Sequence, residues 1–291
     1  MTTRRNFLQQ AGLLTAGIII APSCMMSKAE SNKNIGIQLY TLREELPKDA
    51  KGVIGKVAQA GYKEVETFGY SSEGGFFGMK PTEFADLLKQ HELKASSGHF
   101  GFDPYISGEN EDLLKSYIDA AKAVDMKYII VPYLGENLRQ SAADYQRVAE
   151  RLTKAAEQCK AAGLQLGYHN HDFEFKKFGD TTGYEILLKE TDPDLVVFEA
   201  DLYWVVRAGL DPVALFKDHP GRFKLWHVKD MDKANPKINT EIGSGSVNFK
   251  EIFANAEVAG VEHYIVEQEN FSLDPFESIA QSHTYLKENL L

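Results

Sequence analysis

From Ile35 to the C-terminus, short runs of β-branched and aromatic residues alternate with longer amphipathic stretches, and the alternation repeats eight times. Strands joined this way run parallel, because each crossover helix carries the chain back to the end of the sheet where the previous strand began. The runs are Ile35 to Tyr40, Tyr62 to Thr67, Leu93 to His99, Tyr128 to Pro132, Leu164 to Asn170, Leu195 to Ala200, Phe223 to Val228 and Tyr264 to Gln268. Eight parallel strands can close a sheet on itself, so the expected fold is a single (β/α)8 barrel, the TIM-barrel architecture, over residues 35–291. Local punctuation agrees. Pro81-Thr82-Glu83 opens the second helix and Ala162-Gly163 closes the long fourth. Gly61, Gly163 and Gly260 each follow a helix and precede a strand, where positive φ is cheapest for glycine.

The N-terminus reads differently. Thr3-Arg4-Arg5-Asn6-Phe7-Leu8 leads into an apolar run from Ala11 to Ala21, the pattern of an export signal over residues 1–23. Paired arginines before Asn-Phe-Leu resemble a twin-arginine signal, whose pathway carries proteins already folded. The run is shorter than the roughly 20 residues a membrane-spanning helix needs. The expectation is an exported, periplasmic protein with residues 24–34 as a tether. Cys24, at the end of Ala21-Pro22-Ser23-Cys24, is either a lipid-anchor position or a passive residue beside the cleavage site. With Cys159 it makes no disulfide framework, and Cys159 reads as inert packing on a helix face. The 42 acidic and 32 basic residues give a net charge of -10, a field that repels phosphate backbones and argues against nucleic acid as a partner.

In such a barrel the chemistry sits where the strands end, so polar residues there are read first. The second strand ends in Val65-Glu66-Thr67, the third in Gly98-His99-Phe100 and the fifth in Tyr168-His169-Asn170-His171. The sixth ends in Glu199-Ala200-Asp201, the seventh in Trp226-His227-Val228-Lys229-Asp230 and the eighth in Ile265-Val266-Glu267-Gln268-Glu269. Four of the eight histidines, His99, His169, His171 and His227, lie at these ends. Any one of them is more often a satisfied hydrogen-bonding group than a ligand. Imidazoles and carboxylates together on rigid strands are what a divalent ion such as Mn²⁺, Co²⁺, Zn²⁺ or Mg²⁺ needs. The aromatics Tyr40, Phe68, Phe100, Tyr133, Phe173, Tyr203 and Trp204 are placed to stack on a sugar ring or to cap the core. Gly74-Gly75-Phe76-Phe77-Gly78 is a candidate lid or a plain glycine-rich loop.

The segments GYHNHDFEF, FEADLYWVVRAG, LWHVKD and YIVEQE, with EIGSGSVNF after the seventh strand, resemble the xylose-isomerase-like barrel superfamily of sugar isomerases, epimerases and inosose dehydratases. The resemblance runs from about Gly36 to the C-terminus. It implies four metal ligands at the ends of strands five to eight, usually Glu, Asp, His and Glu, which correspond here to His169, Asp201, His227 and Glu267. His169 departs from that pattern. In the epimerases the fifth-strand and eighth-strand glutamates act on opposite faces of the substrate, so a two-carboxylate mechanism is in doubt here, and a reaction with one base and one acid at different places fits equally well. The implied chemistry is removal of a proton beside a sugar carbonyl through an enediolate, with Glu267 as base. His99, His171 and Lys229 are candidates for proton transfer, and Glu66, Tyr40, Trp204 and Phe100 for substrate contact.

The expected activity is an exported, metal-dependent isomerase or epimerase of a non-phosphorylated sugar. Export disfavours sugar phosphates, and no basic cluster stands at the strand ends. A metal-dependent lyase or dehydratase acting on a keto-sugar or 3-keto-glycoside shares the same site. A carbohydrate-binding barrel without turnover is the alternative from another class. The related abasic-site endonucleases fit poorly, because a basic, metal-rich face is missing. Barrels of this kind often dimerise, so a homodimer is also an expectation.

Overall fold

The computed structural model describes residues 35–291; the expected export signal, Cys24 and the expected tether lie outside the described residues. Eight parallel strands close into a barrel in sequential order. They are β1 (Ile35–Gln38), β2 (Glu64–Thr67), β3 (Lys94–His99), β4 (Tyr128–Val131), β5 (Gln165–His169), β6 (Val196–Asp201), β7 (Phe223–Val228) and β8 (His263–Val266). Closure is made by β1, where Ile35 lies opposite Tyr264 of β8 and Gly36 opposite Glu64 of β2. The single (β/α)8 barrel expected from the alternation is therefore the fold.

Strand ends differ from the sequence reading by at most two residues, for local reasons. The first strand stops at Gln38 because Leu39–Leu42 winds into a 3-10 helix, capped by the Gln38 side chain accepting the Tyr40 N–H. The sixth runs on to Asp201, whose carboxylate accepts the Trp204 N–H and so starts the helix Leu202–Arg207. The eighth ends at Val266, which leaves Glu267 just beyond it.

The hydrophobic residues sort by strand parity. Tyr128, Ile130, Val197, Leu225 and Ile265 form a small cluster inside the barrel. Their neighbours Ile129, Val131, Val196, Trp226, Tyr264 and Val266 belong to the larger core between sheet and helices. Successive side chains point to opposite faces of a strand, so the inward residue fixes the direction of every second residue after it.

The helices follow their end signals. Pro81 occupies the first turn of Pro81–Gln90, and Ser141 caps Ala142–Ala161 by accepting the Asp144 N–H. Gly61 has φ 104° and a Cβ there would lie 2.5 Å from the His283 ring. Cys159 is fully buried in Ala142–Ala161, and burial pushes its thiol up to about 12, consistent with packing. In the 74–78 loop Phe76 is fully buried and packs on Phe84 and Phe100, which anchors the loop to the core.

Candidate active site and metal centre

Carrying strand parity upward from the inner cluster gives the site. Val197 leads to Glu199 and Asp201, Leu225 to His227 and Lys229, and Ile265 to Glu267 and Glu269. On β5 the inward position is Gly167, where a Cβ would meet Ile130 and Val197, and His169 and His171 follow it. Glu199, Asp201, His227, Lys229, Glu267 and His169 are all buried.

One group consists of His169, Asp201, His227 and Glu267, whose donor atoms lie within 4.8 Å of one another. His227 Nδ1 is 3.1 Å from Glu267 Oε2 and 3.8 Å from Asp201 Oδ2. His169 Nε2 is 3.5 Å from Asp201 Oδ2. Donors bound to one ion at roughly 2.1 Å stand about 3–3.5 Å apart, so these spacings suit a shared divalent cation. Tautomers agree. His169 Nδ1 is 3.1 Å from the Pro132 carbonyl, which accepts only, so that nitrogen carries the proton and the Nε2 lone pair faces Asp201. His169 Nε2 and Asp201 Oδ2 are buried without hydrogen-bond partners among the described residues. Two nitrogens and two carboxylate oxygens form a donor set that fits a borderline divalent ion.

A second group lies next to it and shares His227. His227 Nε2 is 2.7 Å from Glu66 Oε1 and 3.3 Å from Glu199 Oε2, and His99 Nε2 is 3.1 Å and 2.8 Å from the same two oxygens. Gln38 Nε2 donates to Glu66 Oε1 at 2.6 Å. Here the ring nitrogens already meet carboxylates at hydrogen-bond distance. Glu66 thus orients His227 through its far nitrogen, as carboxylates commonly do behind a metal-binding imidazole.

Electrostatics follow from burial and proximity. Burial disfavours a charged His99, yet Glu66 and Glu199 outweigh it and raise the ring to about 9. The same competition, against Glu199 and Glu267, holds His227 well above the usual range. Burial would raise Asp201, but the Lys229 ammonium first and then the His227 ring hold it low. Burial would neutralise Lys229, but Glu267, Asp201 and Glu269 keep it an ammonium, 3.1 Å from Glu267 Oε2 and paired with Glu269. His171 is driven well below the usual range by burial and by His169, so it stays neutral.

Above these residues opens a cavity of about 430 Å³. Its floor and walls include His99, His169, His171, Lys229, Glu267 and Glu269, and its mouth Tyr40, Phe68, Tyr133 and Trp204. The carboxylates that reach it follow β8, whereas the imidazoles come from β3 and β5.

The family model described as xylose isomerase-like TIM barrel matches residues 54–289. The chain belongs to the xylose isomerase-like TIM-barrel family. The inosose dehydratase of Lacticaseibacillus casei is 26% identical over 271 residues, spanning 80% of this chain and 87% of that protein. A solved structure described as a sugar phosphate isomerase/epimerase from Parabacteroides distasonis superposes with a TM-score of 0.79 at 32% identity, covering 90% of this chain and 96% of that one. A second structure from that organism, described in the same words, gives 0.74 at 29% identity over 88% and 98% of the two chains.

On this xylose isomerase-like barrel, the residues expected at the site fall into four positions. His169, Asp201, His227 and Glu267 form one cluster, and His99, His171, Lys229, Tyr40 and Trp204 line the cavity with His169 and Glu267 of that cluster. Glu66, expected at the substrate, is instead fully buried behind His227 and His99. Phe100, also expected at the substrate, is a core residue packed on Tyr70, Phe76 and Tyr117. It follows an inward histidine, so its side chain faces the helices.

Sequence reasoning named Glu199 and Glu269 at the strand ends but gave them no role, although each stands two residues from a residue it had singled out, on the same strand face; a buried carboxylate elsewhere escaped it altogether. That carboxylate is Glu174, fully buried, which accepts the Tyr168 hydroxyl at 2.8 Å and the His171 N–H at 2.9 Å and so sets the start of the loop carrying His171. Burial raises the Glu174 carboxyl to about 8. The EIGSGSVNF loop is fixed by Asp230, whose carboxylate accepts from the N–H groups of Gly243, Gly245 and Val247.

Proposed function

We propose that this chain is an exported, metal-dependent sugar enzyme that removes the proton beside the carbonyl of a non-phosphorylated keto-sugar and completes the reaction by β-elimination. The observation that carries the proposal is the one-sidedness of the cavity: carboxylates from the β8 end face imidazoles from β3 and β5. Epimerisation needs matched bases on two faces, whereas elimination needs a base on one side and a proton donor elsewhere.

A divalent ion held by His169, Asp201, His227 and Glu267 would polarise the sugar carbonyl and stabilise the charge that develops as the proton leaves. The rest is the work of the chain. Glu267 accepts the proton, and the Lys229 ammonium beside it holds the carboxylate in its basic, ionised form. His99, kept charged by Glu66 and Glu199, gives a proton to the departing oxygen. The bond to hydrogen and the bond to the leaving oxygen break, a carbon–carbon double bond forms, and water or an alcohol departs. The inosose dehydratase relative, similar over most of the chain, supports this outcome. The isomerase or epimerase reading, expected from the sequence, keeps the support of the Parabacteroides distasonis structure at 32% identity. The cavity wall offers that protein's described phosphate little: its lysine, Lys229, is already engaged by Glu267 and Glu269.

Proton NMR of keto-sugars and keto-glycosides in D2O with purified protein and Mn²⁺ tests the proposal. Loss of water or alcohol with an unsaturated product supports elimination. Deuterium entering a product of unchanged composition supports isomerisation and overturns it. A bound sugar whose carbon protons never exchange points to a binding protein.

A further inference from the structure

The mouth of the cavity carries more than the reaction at its floor requires. Tyr40 and Tyr133 remain 39% and 43% exposed, a large apolar area to leave open at the entrance of a polar pocket. Exposed tyrosines are usually free to turn; these two are braced. The Arg139 guanidinium donates to the Tyr133 hydroxyl at 3.0 Å and to the Leu134 carbonyl at 2.8 Å. The Arg43 guanidinium lies 4.7 Å from the centre of the Tyr40 ring and donates to the carbonyls of Tyr40 and Glu269. Phe68 packs edge-on against Tyr40 at 5.1 Å, and Tyr133 meets His171 edge-on at 5.4 Å, so the collar is continuous with the reactive floor.

A single sugar ring fills roughly half of a cavity of about 430 Å³, so a ring at the Glu267 and His169 floor leaves room for a second toward the mouth. Aromatic faces held rigid before binding are what a stacking subsite needs, because the entropy of ordering them has already been lost. We propose that the collar is a subsite for a second ring joined to the reacting sugar, so the preferred substrate is a glycoside and not a free monosaccharide. The inference rests on reading the floor as a sugar site. In the elimination the second ring is the leaving group: its bridging oxygen keeps the bond electrons, takes a proton and departs as an alcohol.

Calorimetric titration of the purified full chain with methyl and phenyl pyranosides of the gluco, galacto and manno series, and with phenol alone, tests this. The phenyl member of at least one series should bind about tenfold more tightly than its methyl partner. Tyr40→Ala with Tyr133→Ala should remove most of that difference, and Tyr40→Phe with Tyr133→Phe should retain it. Equal binding of phenyl and methyl members, or a preference that survives the double alanine variant, overturns the subsite and leaves the sugar floor standing. Phenol binding as tightly as the phenyl glycosides, or no glycoside binding in any series, overturns the sugar reading and the subsite with it.

Discussion

His169 Nε2 and Asp201 Oδ2 face each other across 3.5 Å in the buried end of the barrel, and neither has a hydrogen-bond partner among the described residues. With His169 Nδ1 committed to the Pro132 carbonyl, both facing atoms are acceptors. Two buried acceptors at this distance repel each other; Lys229 Nζ and His227 Nδ1, each 3.8 Å from Asp201 Oδ2, offset part of that, and a proton or a metal ion between the two acceptors would remove it. The relationship therefore makes metal binding and protonation competitors at this site.

Metal binding should release protons. His227 is held well above its usual range, so near neutral pH the metal-free ring is charged, and Nδ1 must lose its proton to act as a ligand. Titration of Mn²⁺ or Zn²⁺ in buffers of different ionisation enthalpy should show at least about one proton released per ion, with affinity falling as the pH is lowered. Affinity independent of pH between 6 and 8 would show that His227 is no ligand.

Removing ligands and removing their supports should differ in degree. His227→Ala and Glu267→Ala should abolish stoichiometric divalent metal as read by plasma mass spectrometry. Glu66→Gln keeps the ligands but weakens the bond to His227 Nε2, and should lower affinity by about 10- to 100-fold. An undiminished metal content in the first two variants rejects the centre.

In metal-free protein, stability should decline on the alkaline side. His99 is raised from 6.5 to about 9, so its contribution is complete below pH 6.5 and is lost as pH rises through about 9. The contribution is on the order of 3 kcal/mol. Asp201 is depressed and works in the opposite sense: its contribution is present at neutral pH and lost in strong acid. Thermal melting from pH 6.5 to 9 should show a falling midpoint whose slope is shallower in His99→Asn; identical slopes in the two proteins would contradict the assignment.

Two glycines at equivalent places should respond unequally to alanine. Gly163 has φ 82° with open space where a Cβ would go, so Gly163→Ala costs about 1 kcal/mol of backbone strain. Gly61 adds a collision with the His283 ring, and Gly61→Ala should cost about 1 kcal/mol or more beyond that. Denaturant unfolding of the two variants makes the comparison.

The barrel was legible in the sequence because hydrophobic alternation and helix punctuation are local: eight strands, their order and the glycines before them need no distant partner to be read. Strand parity is local too, and it puts Asp201, His227 and Glu267 at inward positions, whereas their reading as candidate ligands came from the family resemblance. The same parity places Glu199 beside Asp201 and Glu269 beside Glu267, so both were within reach of the sequence. What tertiary structure alone decided is which polar residue does what. Glu66 and His99 both end inward strands, but closure of the barrel buries Glu66 behind His227 and leaves His99 at the cavity. Glu174 lies in a polar loop with no periodic signal, and only folding sets its carboxylate beneath Tyr168 and His171. Strand periodicity gives a side chain its direction; its depth, its partners and its charge depend on residues far along the chain, such as Glu66 and His227, 161 positions apart, which come into range only when the sheet closes.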